Sequence, residues 1–463
     1  MAGGPSLVAV RVTGELAVRA RQQFDSLLED DDLRAASLGV LQQGQRESGL
    51  YFGAHPLCVA LRPEFLTGAQ YQAAVLAAET IYGALQRLEA ALLANEELRS
   101  ELDLDPAEER LALADPGYRP SSPGSRLDSF VADQIGYVEY NAESPAGIAY
   151  GDELSGVFWE MPVIQELRTS FELRRLPARE HQLQTMLRAF RAWGRASEPV
   201  VAIVDWPNLP TLREFELFRD NFERHHVRTL ICEPAQLEYS KGVLRGPGGV
   251  AVNLIYRRVL ESELLASLEV ADPLCEAYLD GAVCVVNSFR AKLLHKKMSL
   301  AMLSDERYQR LYTPRQRQAI ARHVPWTRKV APGPGSRDGQ PIGDLIEHIV
   351  QHQQELVLKP NDEYGGKGVI LGWTVSGHEW EQALAVALAQ SYVVQAAIPV
   401  PRDLYPVAVG DRVEQLELAR DMDPYLFDGR VKGLLIRLSS SALLNLTAGS
   451  GSVVPAYLVE AEL

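Results

Sequence analysis

The chain reads as an α/β protein of the α+β kind, assembled from several units. Three observations predict this. Val200-Val201-Ala202-Ile203-Val204-Asp205-Trp206, the helical run Leu212 to Arg224 and Val227-Arg228-Thr229-Leu230-Ile231-Cys232 follow as strand, helix and strand, the order of a parallel βαβ unit. The last third returns to strands, with one helix from about Glu379 to Gln390. A length of 463 residues exceeds one ordinary core and suggests roughly two to four domains.

Composition narrows the class. At 46% hydrophobic and 23% charged, the chain is globular in type. Its formal net charge of -15 sets up a field that repels nucleic acid and anionic membranes, so neither is expected as a partner. An anionic ligand must be met by a local basic pocket. Cys58, Cys232, Cys275 and Cys284 form no CxxC pair, which excludes a disulfide framework or zinc ribbon and predicts reduced thiols. Met1 to Ala20 is interrupted by Arg11, Glu15 and Arg19, unlike a secretory signal. No stretch reaches the ~18 apolar residues of a membrane span, and a cytoplasmic location is expected.

Residues 1–118 read as mostly helical. Thr67 can cap a long helix whose Val75, Ala78, Tyr82, Leu85, Leu88 and Leu92 recur on one face, a core stripe with no chemistry assigned to it. Asp105-Pro106 and Asp115-Pro116-Gly117 then break the chain, and the turn-rich Pro120 to Ser125 opens a second part, 119–198. It holds Arg126-Leu127-Asp128 and Tyr137-Val138-Glu139-Tyr140-Asn141-Ala142-Glu143-Ser144-Pro145-Ala146-Gly147. Residues two apart on a strand share a face, so Glu139 and Asn141 point together. With Asp128 they make three hard oxygen ligands, a set suited to Mg²⁺ held partly by a nucleotide's phosphates. Gly156 to Ala196 reads as helical with a break at Pro177.

Residues 199–289 carry the Rossmann-like βαβ pattern without a GxGxxG fingerprint. Gly246-Pro247-Gly248-Gly249 reads as a hairpin turn between Val243 and Val252, and Ala282 to Asn287 as a strand. In 290–463 a basic helical stretch runs from Arg290 to Leu303, and Ala331 to Ser336 is a linker. Glu355 to Lys359 reads as a strand, Asn361 to Gly368 as a loop and Val369 to Trp373 as the returning strand. Tyr364-Gly365-Gly366-Lys367-Gly368 is not a Walker A loop, since neither the spacing nor a following helix is present. A glycine-rich hairpin can still lie over phosphates through its backbone N–H groups, with Lys359 neutralising charge from below. Taken alone, the same stretch also fits a surface hairpin with a lysine at its edge.

Together these stretches resemble the circularly permuted ATP-grasp proteins, the grouping that includes glutathionylspermidine synthase and its uncharacterised bacterial relatives. Five motifs carry the resemblance over about residues 120 to 463: Arg-x-Asp, Glu-x-Asn-x-Glu-x-Pro-x-Gly, Lys297, Val-Leu-Lys359-Pro with Tyr-Gly-Gly-Lys-Gly, and the end of the chain. That end contains Asp423-Pro424-Tyr425-Leu426-Phe427, Gly433 through Arg437, Leu444-Asn445, Gly449-Ser450-Gly451 and Pro455. The metal ligands precede the lysine and glycine loop, the order of the permuted group. Two positions depart from it: Gly449-Ser450-Gly451 is poorer in glycine, and Asn253 stands where an acid is expected.

The resemblance implies ATP and two Mg²⁺ ions as cofactors. Asp128, Glu139 and Asn141 look like the metal ligands, and Arg126 like the catalytic group on the transferring phosphoryl. Lys297 and Lys359 look like the phosphate lysines, Gly365, Gly366, Lys367 and Gly368 the lid, and Gln395 the adenine contact after Tyr392-Val393-Val394. Arg257 and Arg437 are candidate substrate contacts. Each also has an ordinary reading: Asp128 or Glu139 as a salt-bridged carboxylate, Arg126 as its partner, Gln395 as an edge-strand amide, Lys296 in place of Lys297. The implied activity is ATP-dependent ligation of a small-molecule or short-peptide carboxylate to an amine through an acyl phosphate. The alternatives are an inactive ATP-binding scaffold and a phosphotransferase acting on a hydroxyl. His348 and His352 lack a third metal ligand, and no Gly-x-Ser-x-Gly elbow is present.

Overall fold

The computed structural model describes residues 14–194, 198–410, 412–441 and 451–463. Arg11, Leu444-Asn445 and Gly449-Ser450 lie outside the described residues. Among those described, no helix is long and apolar enough to cross a membrane.

The long N-terminal-region helix, Gly68–Ala94, starts at a reciprocal capping box. Gln70 N donates to the Thr67 hydroxyl (3.2 Å) and Thr67 N to Gln70 Oε1 (2.9 Å). Ala78, Tyr82, Leu85, Leu88 and Leu92 are buried along its inner face, which packs on Arg430–Ser439, Asp423–Phe427 and Met298–Ser304.

Three sheets position the site. In the first, Cys284–Val286, Leu254–Arg257, Val200–Val204 and Arg228–Cys232 lie side by side in that order, all parallel. Helix Leu212–Arg224 packs on it with Phe215, Phe218 and Phe222 buried. In the second, antiparallel sheet the order is Thr327–Lys329, Tyr392–Ala396, Leu356–Pro360 and Ile370–Leu371. The third and largest runs Arg402–Val409, Arg412–Arg420, Arg430–Ser439, Asp423–Phe427, Gly124–Val131 and Ile135–Asn141, with Gly451–Val454 also paired to Arg430–Ser439. Arg126 stands opposite Tyr425 across this sheet. Segments expected in separate parts of the chain, 119–198 and 290–463, therefore share one hydrogen-bonded ladder. A smaller sheet places Ala456–Glu462 between Glu64–Thr67 and Phe171–Arg175.

Three local readings are corrected. Gly156 to Ala196 is not a helix broken only at Pro177: helices Ile148–Trp159 and Pro162–Leu167 are followed by strand Phe171–Arg175 and then helix Arg179–Trp193. The strand's partner, Ala456–Glu462, lies at the far end of the chain, so its ladder bonds leave no local signature. The basic stretch after Arg290 is split into Phe289–Ala291, Lys292–His295 and Met298–Ser304, because Lys296 takes an extended ψ of 134°. Asn361 holds that break: its carbonyl accepts from Lys297 N (2.9 Å) and its side-chain oxygen from Met298 N (3.0 Å). Of Val369 to Trp373 only Ile370–Leu371 pairs as strand. Gln353 Nε2 donates to the carbonyls of Gly372 (2.8 Å) and Val375 (2.9 Å), and Gly372–Thr374 curls into a 3-10 turn.

Candidate functional site

The hairpin Gly124–Val131/Ile135–Asn141 of the largest sheet and strands Leu356–Pro360 and Tyr392–Ala396 of the antiparallel sheet line one cleft of about 190 Å³. Arg126, Asp128, Glu139, Asn141, Lys297, Lys359, Gly365, Gly366, Gln395 and Arg437 all border it. The strand alternation that aligns Glu139 with Asn141 thus operates here, and the break before Met298 brings Lys297 in from a third segment. Other predicted positions are not brought to the cleft lining. Lys367 is exposed and pairs with Glu363 (3.0 Å). Gly368 turns with φ +71° against Pro360 and Tyr392, where a Cβ would meet Pro360 Cγ at 2.7 Å. Arg257 is fully buried; Nε donates to the Asn287 carbonyl (3.1 Å) and Nη1 to the Val259 carbonyl (3.1 Å) and Glu143 (3.3 Å). Its donors are committed inside the protein, so it offers no contact to a substrate. Lys296 is turned to Glu108 (2.7 Å) and the Asp103 carbonyl (3.0 Å), which leaves Lys297 as the cleft lysine.

The wall on the largest sheet is a closed ionic network. Arg126 Nε donates to Asp128 Oδ1 (2.7 Å) and Nη2 to Oδ2 (3.1 Å). Arg437 Nη2 donates to Asp128 Oδ2 (2.8 Å) and to Asp423 Oδ2 (2.8 Å), and its Nε to Asp421 Oδ2 (2.6 Å). Asn141 Nδ2 donates to Asp128 Oδ1 (2.8 Å). Burial alone would push the Asp128 carboxyl up, but the Arg126 and Arg437 guanidiniums hold it well below the usual carboxylate range. Asp423 behaves oppositely: burial, then the neighbouring Asp128 and Asp421 charges, raise it well above that range.

The facing wall carries the cations. Lys359 Nζ donates to Gln395 Oε1 (2.6 Å) and to the Val138 carbonyl (3.3 Å). Burial pulls its ammonium down to about 8, against the opposing pull of Glu139. Lys297 Nζ pairs with Glu139 Oε1 (3.0 Å) and donates to the Glu363 carbonyl (2.6 Å). Burial disfavours the Glu139 carboxylate, yet Lys297 lowers its pKa overall. Gln395 Nε2 donates to Thr327 Oγ1 (3.0 Å), so its oxygen faces Lys359.

Among the lining residues that sequence reading did not assign to the site are Glu363, Trp373 and Asp421. Asp421 stands two residues before Asp423, the first residue of its strand, a spacing that could have marked it, since both then face one side. Glu363 has only its place at the mouth of the glycine loop to betray it. Among the described residues no three His, Cys, Asp or Glu side chains form a metal site by themselves. The oxygens nearest to such a role are those of Glu139, Asn141 and Glu363 along the cleft, while both oxygens of Asp128 are engaged by Arg126, Arg437 and Asn141.

The folded chain is thus a mixed α/β protein with an ion-lined cleft between two of its sheets. It shares its fold with a glutathione synthetase-like effector, GSS30, from Globodera pallida: the TM-score is 0.56 at 13% identity, over 92% of this chain and 96% of that one. A putative gamma-glutamylcysteine synthetase from Methylobacillus flagellatus overlaps at a TM-score of 0.42, 11% identity, 81% of this chain and 88% of that one. In sequence, the chain is similar to a putative glutamate–cysteine ligase 2-2 from Frankia casuarinae, 26% identical over 241 residues, 51% of this chain and 26% of the relative. The match thus takes in about a quarter of that relative's length. No protein-family model matches the chain.

Proposed function

We propose that the chain is an ATP-dependent carboxylate–amine ligase, and that the order of its halves is that of a circularly permuted ATP-grasp site beside a Rossmann-like domain. The observation that carries this reading is that Glu139 and Lys359, more than two hundred residues apart in sequence, line the same cleft with Lys297 and the glycine loop. Relatives named as a glutamate–cysteine ligase and a glutathione synthetase-like effector support ligation at a general level.

Lys297 and Lys359 would neutralise the phosphates of ATP, with the Gly365-Gly366 backbone against them and Gln395 at the base. Magnesium would be held by the hard oxygens of Glu139, Asn141 and Glu363, where Lys297 engages one carboxylate oxygen of Glu139 and Lys367 one of Glu363, with phosphate oxygens completing a set the protein does not close alone. When bound, Mg²⁺ would offset phosphate charge. Asp128 would orient Arg126 and Arg437, and Arg126 would meet charge developing on the transferring γ-phosphoryl. A substrate carboxylate oxygen attacks the γ-phosphorus, the bond to the ADP oxygen breaks, and an acyl phosphate forms. An amine then attacks the acyl carbon, loses a proton, and inorganic phosphate leaves as the amide forms. The loop over the cleft would exclude water from the acyl phosphate.

The test is ADP release against amino acids including glutamate and cysteine, polyamines and short peptides, with mass spectrometry of products. Amide plus phosphate supports the ligase. A stable phosphoester would replace it with a phosphotransferase, and ATP binding without ADP release would leave a scaffold.

A further inference from the structure

Behind the cleft lies a second ionic cluster built on the same three chain segments. At the front, Lys297 joins Glu139 (3.0 Å) to the Glu363 carbonyl (2.6 Å). One layer deeper, Lys292 Nζ lies 3.1 Å from Glu143 Oε1 and 3.0 Å from each oxygen of Asp362. Glu143 follows Glu139 on the metal-ligand segment, Lys292 precedes Lys297 across the helix break, and Asp362 adjoins Glu363 at the base of the glycine loop. The side chains of Lys292 and Glu143 are 0% exposed. Glu143 is fixed in turn by Glu261 N (3.1 Å) and Arg257 (3.3 Å).

The loop's base is also tied by Asn361, whose Nδ2 donates to the Leu102 carbonyl (2.9 Å) and to Ser391 Oγ (3.0 Å), and by Lys297 on the Glu363 carbonyl. Toward its tip Gly366 has a φ of 76°, a Cβ there would meet nothing within 4 Å, and the half-exposed Tyr364 donates its hydroxyl to Glu263 (2.9 Å) while its carbonyl accepts from Lys367 N (3.2 Å). Its placement therefore depends on its base. A lysine without solvent access is stable as an ammonium only where carboxylates surround it, and Lys292 loses its two shortest contacts, keeping Glu143 and the more distant Glu108, if Asp362 swings out. The bridge consequently favours one position of the loop relative to Glu139 and Lys297.

We propose that Lys292 is a positioning residue that clamps the base of the glycine loop, through Asp362, to the Glu143 end of the metal-ligand segment. Its functional consequence rests on the nucleotide reading above. In the full chain, Asp362→Asn should raise hydrogen exchange of residues 361–368 about tenfold and weaken MgATP binding, read by calorimetry, by a similar factor, and Lys292→Met should do both more strongly. Glu108→Gln supplies the comparison. Glu108 is 3.7 Å from Lys292 but outside the three cleft segments, so this variant should leave loop exchange and MgATP affinity within about twofold even if it lowers the melting temperature. Unchanged loop exchange in Asp362→Asn overturns the clamp, as does an equal change in Glu108→Gln. Raised exchange with unchanged MgATP affinity overturns the positioning role. Wild-type protein that binds no MgATP overturns the nucleotide reading and this functional role with it, while exchange in the nucleotide-free protein still decides the clamp itself.

Discussion

The two walls of the cleft hold their charges differently. On the largest sheet, Arg126 and Arg437 meet Asp128, Asp421 and Asp423 in a network whose hydrogen-bonding groups face one another. On the antiparallel sheet, Lys359 donates, among the described residues, to two neutral oxygens, those of Gln395 and Val138. One wall is electrostatically complete; the other carries a half-buried cation that no carboxylate among the described residues contacts directly. That asymmetry gives the cleft a direction. In the proposed site the carboxylate wall would orient guanidiniums, and the lysine wall would be where phosphate charge is favoured.

The difference is broken most severely at Asp128. Asp128→Asn removes the charge that both arginines share, leaving the buried Arg126 without its carboxylate and the half-buried Arg437 with Asp421 and Asp423 alone, a loss of about 3–5 kcal/mol. Chemical denaturation should read it as a lower midpoint with an unchanged slope. A loss below about 1 kcal/mol would mean that solvent screens the network and the wall is not closed. Next comes Glu139, which spans the walls through Lys297. Glu139→Gln should cut ADP release by about 100-fold, close to 3 kcal/mol, with the melting temperature nearly unchanged. Full turnover would remove Glu139 from the mechanism. Lys359→Ala should weaken ATP binding by about 2 kcal/mol, roughly 30-fold, the size of one charge-assisted hydrogen bond. Unchanged affinity by calorimetry would put the phosphates elsewhere.

How much of this was legible depends on the range of the interaction. The capping box at Thr67 and Gln70, the helix Leu212–Arg224 and the parallel strand of Val200–Val204 are short-range features, and their residues announce them. Glu139 and Asn141 were readable as a pair because strand geometry alone aligns them. Arg257 was misread because its arginine looks the same in a sequence whether it meets a ligand or the buried Glu143. Strand Phe171–Arg175 and the Asp128–Arg437 pair were hidden for a related reason: each depends on a partner hundreds of residues away, and the pairing signal exists only once the chain is folded. The same holds for Lys292, which in sequence is one more basic residue in a basic helix, and in the structure is a fully buried charge behind the cleft.

The smallest effect is also the one that isolates the lysine wall. With its folded-state pKa near 8 and an unfolded value of about 10.4, Lys359 is charged in both states below pH 8. Between those values the folded protein binds fewer protons than the unfolded chain, so this group's contribution to stability rises with pH across that window. Binding goes the other way. In the proposed nucleotide site ATP would be met by the ammonium, and above pH 8 the free protein would have to take up a proton before that contact forms. Affinity should therefore be flat up to about pH 7.5 and roughly tenfold weaker at pH 9, one unit above the pKa. Calorimetry in two buffers of different ionisation enthalpy should show net proton uptake on binding at pH 9 and almost none at pH 7. Lys359→Arg, with a guanidinium that keeps its proton throughout, should remove both the slope and the uptake. A slope that survives in Lys359→Arg would assign the titration to another group and leave the two walls of the cleft alike in charge behaviour.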